Sequence, residues 1–326
     1  MQRLKNWAAR LGIARAGGSQ SYYTISAEQL NRIPYHQMTT GVAHDIYLMR
    51  KFEDERQNEL FNRQLTENQR AYRDNGYLIL RNLIPEDVID RYLALREEAK
   101  LGREQFPQQD TPHVKYQCIR DIACYAPLSA VIEELHSTYM GLIFVLTGFQ
   151  STQRGWHQDA YLDPDDALPR CATWIALGDV DERCGPFELV PMSHRWPALS
   201  NQALNKFIKR PYHWPDGHTE GASGVPRWGR LTEALINPSV TRKIRDENLN
   251  IKQFTASKGD VLIWHGRLMH RGSRATEEEA VRPALIAHYA PLSERKRGLF
   301  VKRKDNSYFL APPQVTKHLN SASDVC

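Results

Sequence analysis

From residue 141 onward the chain breaks into short apolar runs of strand character. Gly141–Gln150, Cys171–Gly178, Phe187–Val190, Gly259–Trp264 and Ala284–Tyr289 are rich in β-branched and aromatic residues. Turn residues bound them, and apart from one long insert no helix-length periodic segment joins one run to the next. This pattern disfavours βαβ units and predicts a sandwich or barrel. The expected fold is mainly β with flanking helices. The insert, roughly residues 195–250, is rich in Trp, Pro, Gly and His, and connections of that length are usually functional or disordered.

The N-terminal part reads differently. Residues 1–16 carry Arg3, Lys5, Arg10 and Arg15 and no acid, with Leu4, Trp7, Ala8 and Leu11 at helical spacing. This is a short basic amphipathic helix, open to three readings: packing on the domain, peripheral contact with a membrane surface, or organelle targeting. Gly17-Gly18-Ser19 breaks it, and residues 50–73 are strongly polar. Thr66 is placed to cap a helix that the Asn75-Gly76 turn ends. Tyr77–Leu80 is a short strand, and a helix opens at Pro85-Glu86 and runs to about Lys100. The expected organisation is an N-terminal helical extension over 1–65, a β domain over 66–300 and a tail over 301–326.

Composition removes several classes. A chain of 326 residues with 41% hydrophobic residues can bury a large core, and no apolar run is long enough to span a bilayer. No secretory leader is visible near the N-terminus. Five scattered cysteines without a C-x-x-C pair argue against a zinc ribbon and for reduced thiols, hence a cytoplasmic setting. The net charge of +5 permits an anionic substrate without requiring one. With no basic tract or nucleic-acid motif, no nucleic-acid partner is expected.

One gap between strands holds Gly155-Trp156-His157-Gln158-Asp159-Ala160-Tyr161. On a strand, His157 and Asp159 would share a face. With a second histidine from elsewhere they would make the two-His, one-carboxylate set that non-haem Fe(II) oxygenases use. Alone the pair decides nothing, since 12 histidines supply roughly two-thirds of one His-x-Asp by chance. Its partners lie downstream. Gly259-Asp260-Val261-Leu262-Ile263-Trp264-His265 is a buried strand reaching a glycine turn, and His270 follows. His265 is the rival ligand. Arg282 opens the last strand, and a guanidinium grips carboxylates bidentately, which suits an incoming dicarboxylate.

With these motifs in order, the sequence over residues 66–290 resembles the phytanoyl-CoA dioxygenase family of Fe(II)/2-oxoglutarate oxygenases. Asp74-Asn75-Gly76-Tyr77-Leu78-Ile79-Leu80-Arg81 is similar to that family's first strand. Trp156-His157-Gln158-Asp159 is similar to its proximal metal motif, and Thr173-Trp174-Ile175-Ala176-Leu177-Gly178-Asp179 to the strand that follows. The segment from Cys184-Gly185-Pro186 to Pro191-Met192-Ser193-His194 resembles its Gly-Pro…Pro-Gly-Ser-His stretch, with Met192 in place of the usual glycine. The resemblance implies a double-stranded β-helix (jelly-roll, cupin-like) core. It implies that His157, Asp159 and His270 bind iron and form the catalytic centre, and that Arg282 pairs with the distal carboxylate of 2-oxoglutarate. Trp174 would lie beside the co-substrate. The family's serine two residues after the distal histidine is replaced here by Gly272, with Ser273 next, so Ser273 and Gln150 are further candidate contacts.

Other residues carry two readings each. His194 reads as a structural hydrogen-bonding residue. His288 is either a pocket wall or a core histidine. Trp156 and Tyr161 either pack or touch substrate, and Lys209–Trp214 either meets an anion or is solvated surface.

The implied chemistry is O₂-dependent oxidation coupled to decarboxylation of 2-oxoglutarate. Related halogenases lack the carboxylate, so Asp159 points to hydroxylation, or to desaturation or ring closure. The implied substrate is a small or lipid-linked molecule, which the net charge permits to be anionic: an acyl-CoA, a natural product or an acidic sugar. The competing readings are a metal-dependent cupin-like enzyme that does not use 2-oxoglutarate, and a non-catalytic binding module on the same fold.

Overall fold

A computed structural model describes residues 32–43, 65–99, 112–149, 153–160, 170–200, 203–204, 228–277, 279–293 and 298–311. The basic segment 1–16, Gln150, Tyr161 and Lys209–Trp214 lie outside the described residues. In chain order the strands are β1 (Thr39–Ala43), β2 (Tyr77–Leu80), β3 (Met140–Gly148), β4 (Cys171–Ala176), β5 (Phe187–Leu189), β6 (Pro197–Leu199), β7 (Lys252–Phe254), β8 (Val261–His265), β9 (His270–Gly272), β10 (Ala284–Pro291), β11 (Leu299–Lys302) and β12 (Tyr308–Ala311). The helices are α1 (Glu67–Asn75), α2 (Glu86–Glu98), α3 (Pro112–Lys115), α4 (Gln117–Ala123), α5 (Ala126–His136) and α6 (Trp228–Asp246). The chain divides into two compact units: residues 1–45, 155–166 and 195–250, and residues 46–154, 167–194 and 251–326.

The larger unit is built on two sheets. One has seven strands in the order β11-β12-β3-β10-β4-β8-β2, and the other three in the order β7-β5-β9. Neighbours pair antiparallel throughout except β12 beside β3. The mainly β, jelly-roll expectation therefore holds, and the hairpin Leu299–Ala311 carries the large sheet past residue 300.

Strand alternation gives that sheet two different faces. Cys171, Ile175, Val261, Ile263, Leu285, Ala287 and Tyr289 point into a core shared with Ile89 and Tyr92 of α2, Ile119 of α4 and Leu128 of α5. Ala172, Trp174, Ala176, Leu262, Trp264 and Ala284 point the other way, against Phe187 and Leu189 of β5 and Phe254 of β7. A strand buried on both faces reads as a continuous apolar run, which is why β4 and β8 were visible in the sequence.

Local signals set the element ends. The Thr66 hydroxyl accepts from the Gln69 N–H while the Gln69 side chain accepts from the Thr66 N–H, a reciprocal capping box worth about 1 kcal/mol. Gly76 ends α1 in the left-handed region at φ 81°. At the entrance to β8, Gly259 has φ 90°, and a Cβ there would lie 2.5 Å from the Ile84 carbonyl oxygen. Asp260 then accepts from the Asn82 and Ser257 N–H groups and from Arg81, pinning the strand.

In the smaller unit, β1 pairs antiparallel with β6 across a register shift. The Tyr35 hydroxyl donates to the Pro197 carbonyl at 3.0 Å, and Arg242 of α6 donates to the Ile33 carbonyl at 2.7 Å. The insert thus contains a 19-residue helix, with Leu235, Ile236 and Val240 buried. Pro238 inside it removes one N–H from the helical ladder. Among the described residues no helix is long and apolar enough to cross a membrane.

Candidate metal centre

The metal motif is not a continuous strand. His157 is a single bridge residue, with bends at Trp156 and Asp159. Other bonds hold the segment. The Arg154 N–H donates to the Gly272 carbonyl of β9 at 3.1 Å. The next two N–H groups turn to α6: Gly155 donates to Glu233 at 2.5 Å and Trp156 to Asn237 at 3.0 Å. Trp156 is fully buried, so packing is its evident role.

His157, Asp159 and His270 each bring one ligand atom to within 4.8 Å of the other two. Both histidines are buried and Asp159 is half-buried. The two imidazoles are oriented by the same device. His157 Nδ1 lies 2.9 Å from the Gly155 carbonyl, and His270 Nδ1 lies 2.9 Å from the Leu268 carbonyl. A carbonyl can only accept, so each Nδ1 carries a proton, which leaves Nε2 as the ring nitrogen able to ligate a metal. His270 is further held by the Phe187 ring, stacked at 5.1 Å and 13°, and by Trp264 at 5.3 Å. Two imidazoles and one carboxylate at this separation fit a divalent non-haem iron.

The rival His265 is outside this cluster. Its Nδ1 accepts the Arg267 N–H at 3.0 Å, and its ring packs beside Tyr72 and His194. Burial, together with His194, His136 and Arg267, holds it well below the ordinary imidazole range, so it stays neutral. His194 is structural, as anticipated: its Nε2 donates to the Arg73 carbonyl at 2.9 Å. Met192, where the family's glycine would stand, is exposed and takes φ 65°, the backbone that explains a glycine preference.

Arg282 is buried two residues before β10. Its guanidinium donates to the Gly185 carbonyl. Burial pulls its pKa to about 10, which leaves it protonated at neutral pH. Gly185 has φ 68°, and a Cβ there would sit 2.5 Å from the Ala275 nitrogen and 2.6 Å from the Ser273 carbonyl oxygen. Ser273 closes the same loop: its hydroxyl and its N–H both donate to the Pro186 carbonyl, at 2.7 and 3.2 Å. Trp174 lies between Leu262 and Ile286 in the sheet and meets Phe254 edge-on at 5.6 Å.

The face of the large sheet that carries Trp174 and Trp264 is not uniformly covered. Its positions on β4 and β8 are buried, whereas Phe144, Leu146, Ile286 and His288 on β3 and β10 are half-buried. Register sets Phe144 opposite His288 and Leu146 opposite Ile286. The Phe144 and His288 rings stack at 4.1 Å and 14°, and His288 meets Trp264 edge-on at 6.3 Å. Trp264 thus touches both His288 and the candidate ligand His270. Sequence reading missed Glu233, Asn237 and the Phe187 stack. The available signals were the helical spacing inside the insert and the phenylalanine directly after Gly185-Pro186.

The phytanoyl-CoA dioxygenase (PhyH) family profile matches residues 118–283, just over half of the chain. A probable phytanoyl-CoA dioxygenase of Caenorhabditis elegans is 20% identical over 260 residues, 69% of this chain and 74% of that protein. Among solved structures, the chain is similar to the non-heme alpha ketoglutarate dependent epimerase SnoN from nogalamycin biosynthesis. The TM-score is 0.50 at 16% identity, over 72% of this chain and 84% of the other. It is also similar to EctD from S. alaskensis, with a TM-score of 0.49 at 15% identity over 76% and 82%. The chain belongs to the phytanoyl-CoA dioxygenase family of Fe(II)/2-oxoglutarate-dependent oxygenases.

Proposed function

We propose that this protein is a dioxygenase that hydroxylates an unactivated C–H bond of a small or lipid-linked substrate. The observation that carries the reading is the convergence of Asp159 with His157 and His270. A carboxylate in the third ligand place occupies the site that halide takes in related halogenases, which favours transfer of oxygen over chlorine.

Bound Fe(II) and 2-oxoglutarate would supply O₂ activation, with the co-substrate leaving as succinate and CO₂. The chain's own residues hold, orient and seclude. His157, Asp159 and His270 would be the three ligands, leaving the remaining coordination positions to co-substrate and O₂. Arg282, protonated and fixed on the Gly185 carbonyl, would take the distal carboxylate of 2-oxoglutarate. Trp174 and the Gly185–Ser273 loop would frame it. Gln150 is proposed as a second contact to the co-substrate. Apolar packing around Trp174, Trp264 and Phe187 keeps bulk water away from the reacting centre. The half-buried Phe144, Leu146, Ile286 and His288 would receive the substrate, and three apolar side chains with one imidazole suit an apolar or ring-bearing portion. A polar or anionic group would have His288 as its partner.

The test is succinate release across a panel of acyl-CoAs, ring-containing natural products and acidic sugars. Mass spectrometry would follow transfer of ¹⁸O from O₂ to the product. The expected result is one succinate per oxygenated product. Arg282→Ala should raise the 2-oxoglutarate requirement roughly 10- to 150-fold, the worth of a charged hydrogen bond. Product formed without succinate, at an undiminished rate in Arg282→Ala, would establish the cupin-like alternative instead.

A further inference from the structure

We infer that Glu233 and Asn237 of α6 are positioning residues for the metal centre, acting through the backbone of Gly155 and Trp156. This rests on the reading of His157, Asp159 and His270 as the metal ligands. The two side chains stand four residues apart, on one face of the helix. Glu233 accepts the Gly155 N–H at 2.5 Å and Asn237 accepts the Trp156 N–H at 3.0 Å. The other side of residue 155 is used as well, because its carbonyl faces His157 Nδ1 at 2.9 Å. Gly155 is therefore gripped on its N–H by the helix and holds the ligand ring with its C=O. A shift of the loop away from α6 would turn that carbonyl, and with it the direction of the His157 Nε2 lone pair.

Two further observations fit a strut rather than a passing contact. A Cβ at residue 155 would lie 3.0 Å from Asn237 Cγ and 3.1 Å from its Cβ, so a side chain there would press on Asn237 and one of the two would have to shift. Pro238 follows Asn237 directly. It interrupts the helical ladder at the turn that carries the acceptor. By contrast, His270 takes its orientation from the Leu268 carbonyl and the Phe187 stack, inside the sheets. One ligand is thus oriented by the β scaffold and the other by a helix of the long insert.

The test is anaerobic titration of the purified full-length protein with Co(II) alone, read by calorimetry and visible absorption, beside a thermal melt of the metal-free protein. Glu233→Ala and Asn237→Leu are expected to weaken Co(II) binding about 10- to 100-fold, the usual cost of losing a partner behind a ligand. Glu233→Gln and Asn237→Asp keep an acceptor oxygen and should stay within about threefold of wild type, within the reach of a retained hydrogen bond. Gly155→Ala should weaken binding by pressing on Asn237. Co(II) binding at wild-type strength in Glu233→Ala and Asn237→Leu would overturn the inference, as would a lowered melting point with unchanged affinity of the folded protein. Should Glu233→Ala not fold, Asn237→Leu and Gly155→Ala decide alone. Failure of wild-type protein to bind one Co(II), or undiminished binding by His157→Ala, would instead refute the metal-site reading.

Discussion

Two groups of buried histidines occupy this molecule, and they have opposite fates. His157 and His270 converge with a carboxylate, Asp159, and each ring is turned by a backbone carbonyl two residues earlier. His265, His194 and His136 also cluster, through Tyr72, but the charged neighbour that acts on His265 there is Arg267. The first group can neutralise an incoming cation. The second has no use for one: burial, with Arg267 nearby, keeps His265 neutral, and burial alone lowers His136. Burial and clustering therefore do not make a metal site; the sign of the nearest charge and the direction of the lone pairs do.

The largest expected effect separates the groups directly. His157→Ala should abolish measurable Co(II) binding and cut turnover by at least about 100-fold, the upper end of what losing even an outer-shell partner costs. His265→Leu should leave metal affinity within about twofold while lowering stability by about 1–3 kcal/mol, because the Arg267 N–H loses its buried acceptor. If His265→Leu, still folded, failed to bind metal, the assignment of the two groups would be reversed.

Acid should act on the second kind of histidine. Unfolded imidazoles take a proton near pH 6.5. In the fold, burial lowers His136 to about 4. Burial, reinforced by Arg120 and partly offset by a hydrogen bond to the Leu310 carbonyl, lowers His113 to about 4 as well. Between these values the unfolded chain binds more protons, so stability is full above about pH 6.5 and falls as pH drops toward 4. The loss is on the order of 3 kcal/mol per histidine. Urea midpoints of metal-free protein at pH 7 and pH 4.5 should show it, and His136→Phe should flatten the dependence. An unchanged slope in that variant would show that His136 does not titrate this way.

The smallest effect concerns the turn that delivers His194 to its place. Met192 holds φ 65°, where a side chain costs about 1–2 kcal/mol and glycine nothing, while glycine adds entropy to the unfolded chain. Met192→Gly should raise stability by about 0.5 kcal/mol, read from denaturant midpoints; a clear loss would mean that the turn is not strained.

Much of this was legible in the sequence because the signals are local. Strands buried on both faces must be apolar throughout, so β4 and β8 announce themselves. Thr66, Gly76 and Gly259 stop and start elements through hydrogen bonds and φ values that depend on a few neighbours. The helices Pro112–His136 and the helix within the insert were not read, because their apolar positions interleave with polar ones that tertiary partners cover. His265 and His270 could be weighed by motif order but not separated by chemistry, since both are histidines flanking one turn, His265 closing β8 and His270 opening β9.

What the sequence determined by itself was the supply of groups: a strand pattern that closes into a β core, two histidines and an aspartate in family order, and an arginine suited to a dicarboxylate. What only the tertiary structure decided was their use. The fold brought His270, and not His265, within reach of His157 and Asp159, turned Nδ1 of both rings to backbone carbonyls, seated Arg282 on the Gly185 carbonyl and brought α6 against the residue before Trp156. Ligation depends on the positions of atoms contributed by segments far apart in the chain, and those positions follow from packing rather than from any residue's own preference.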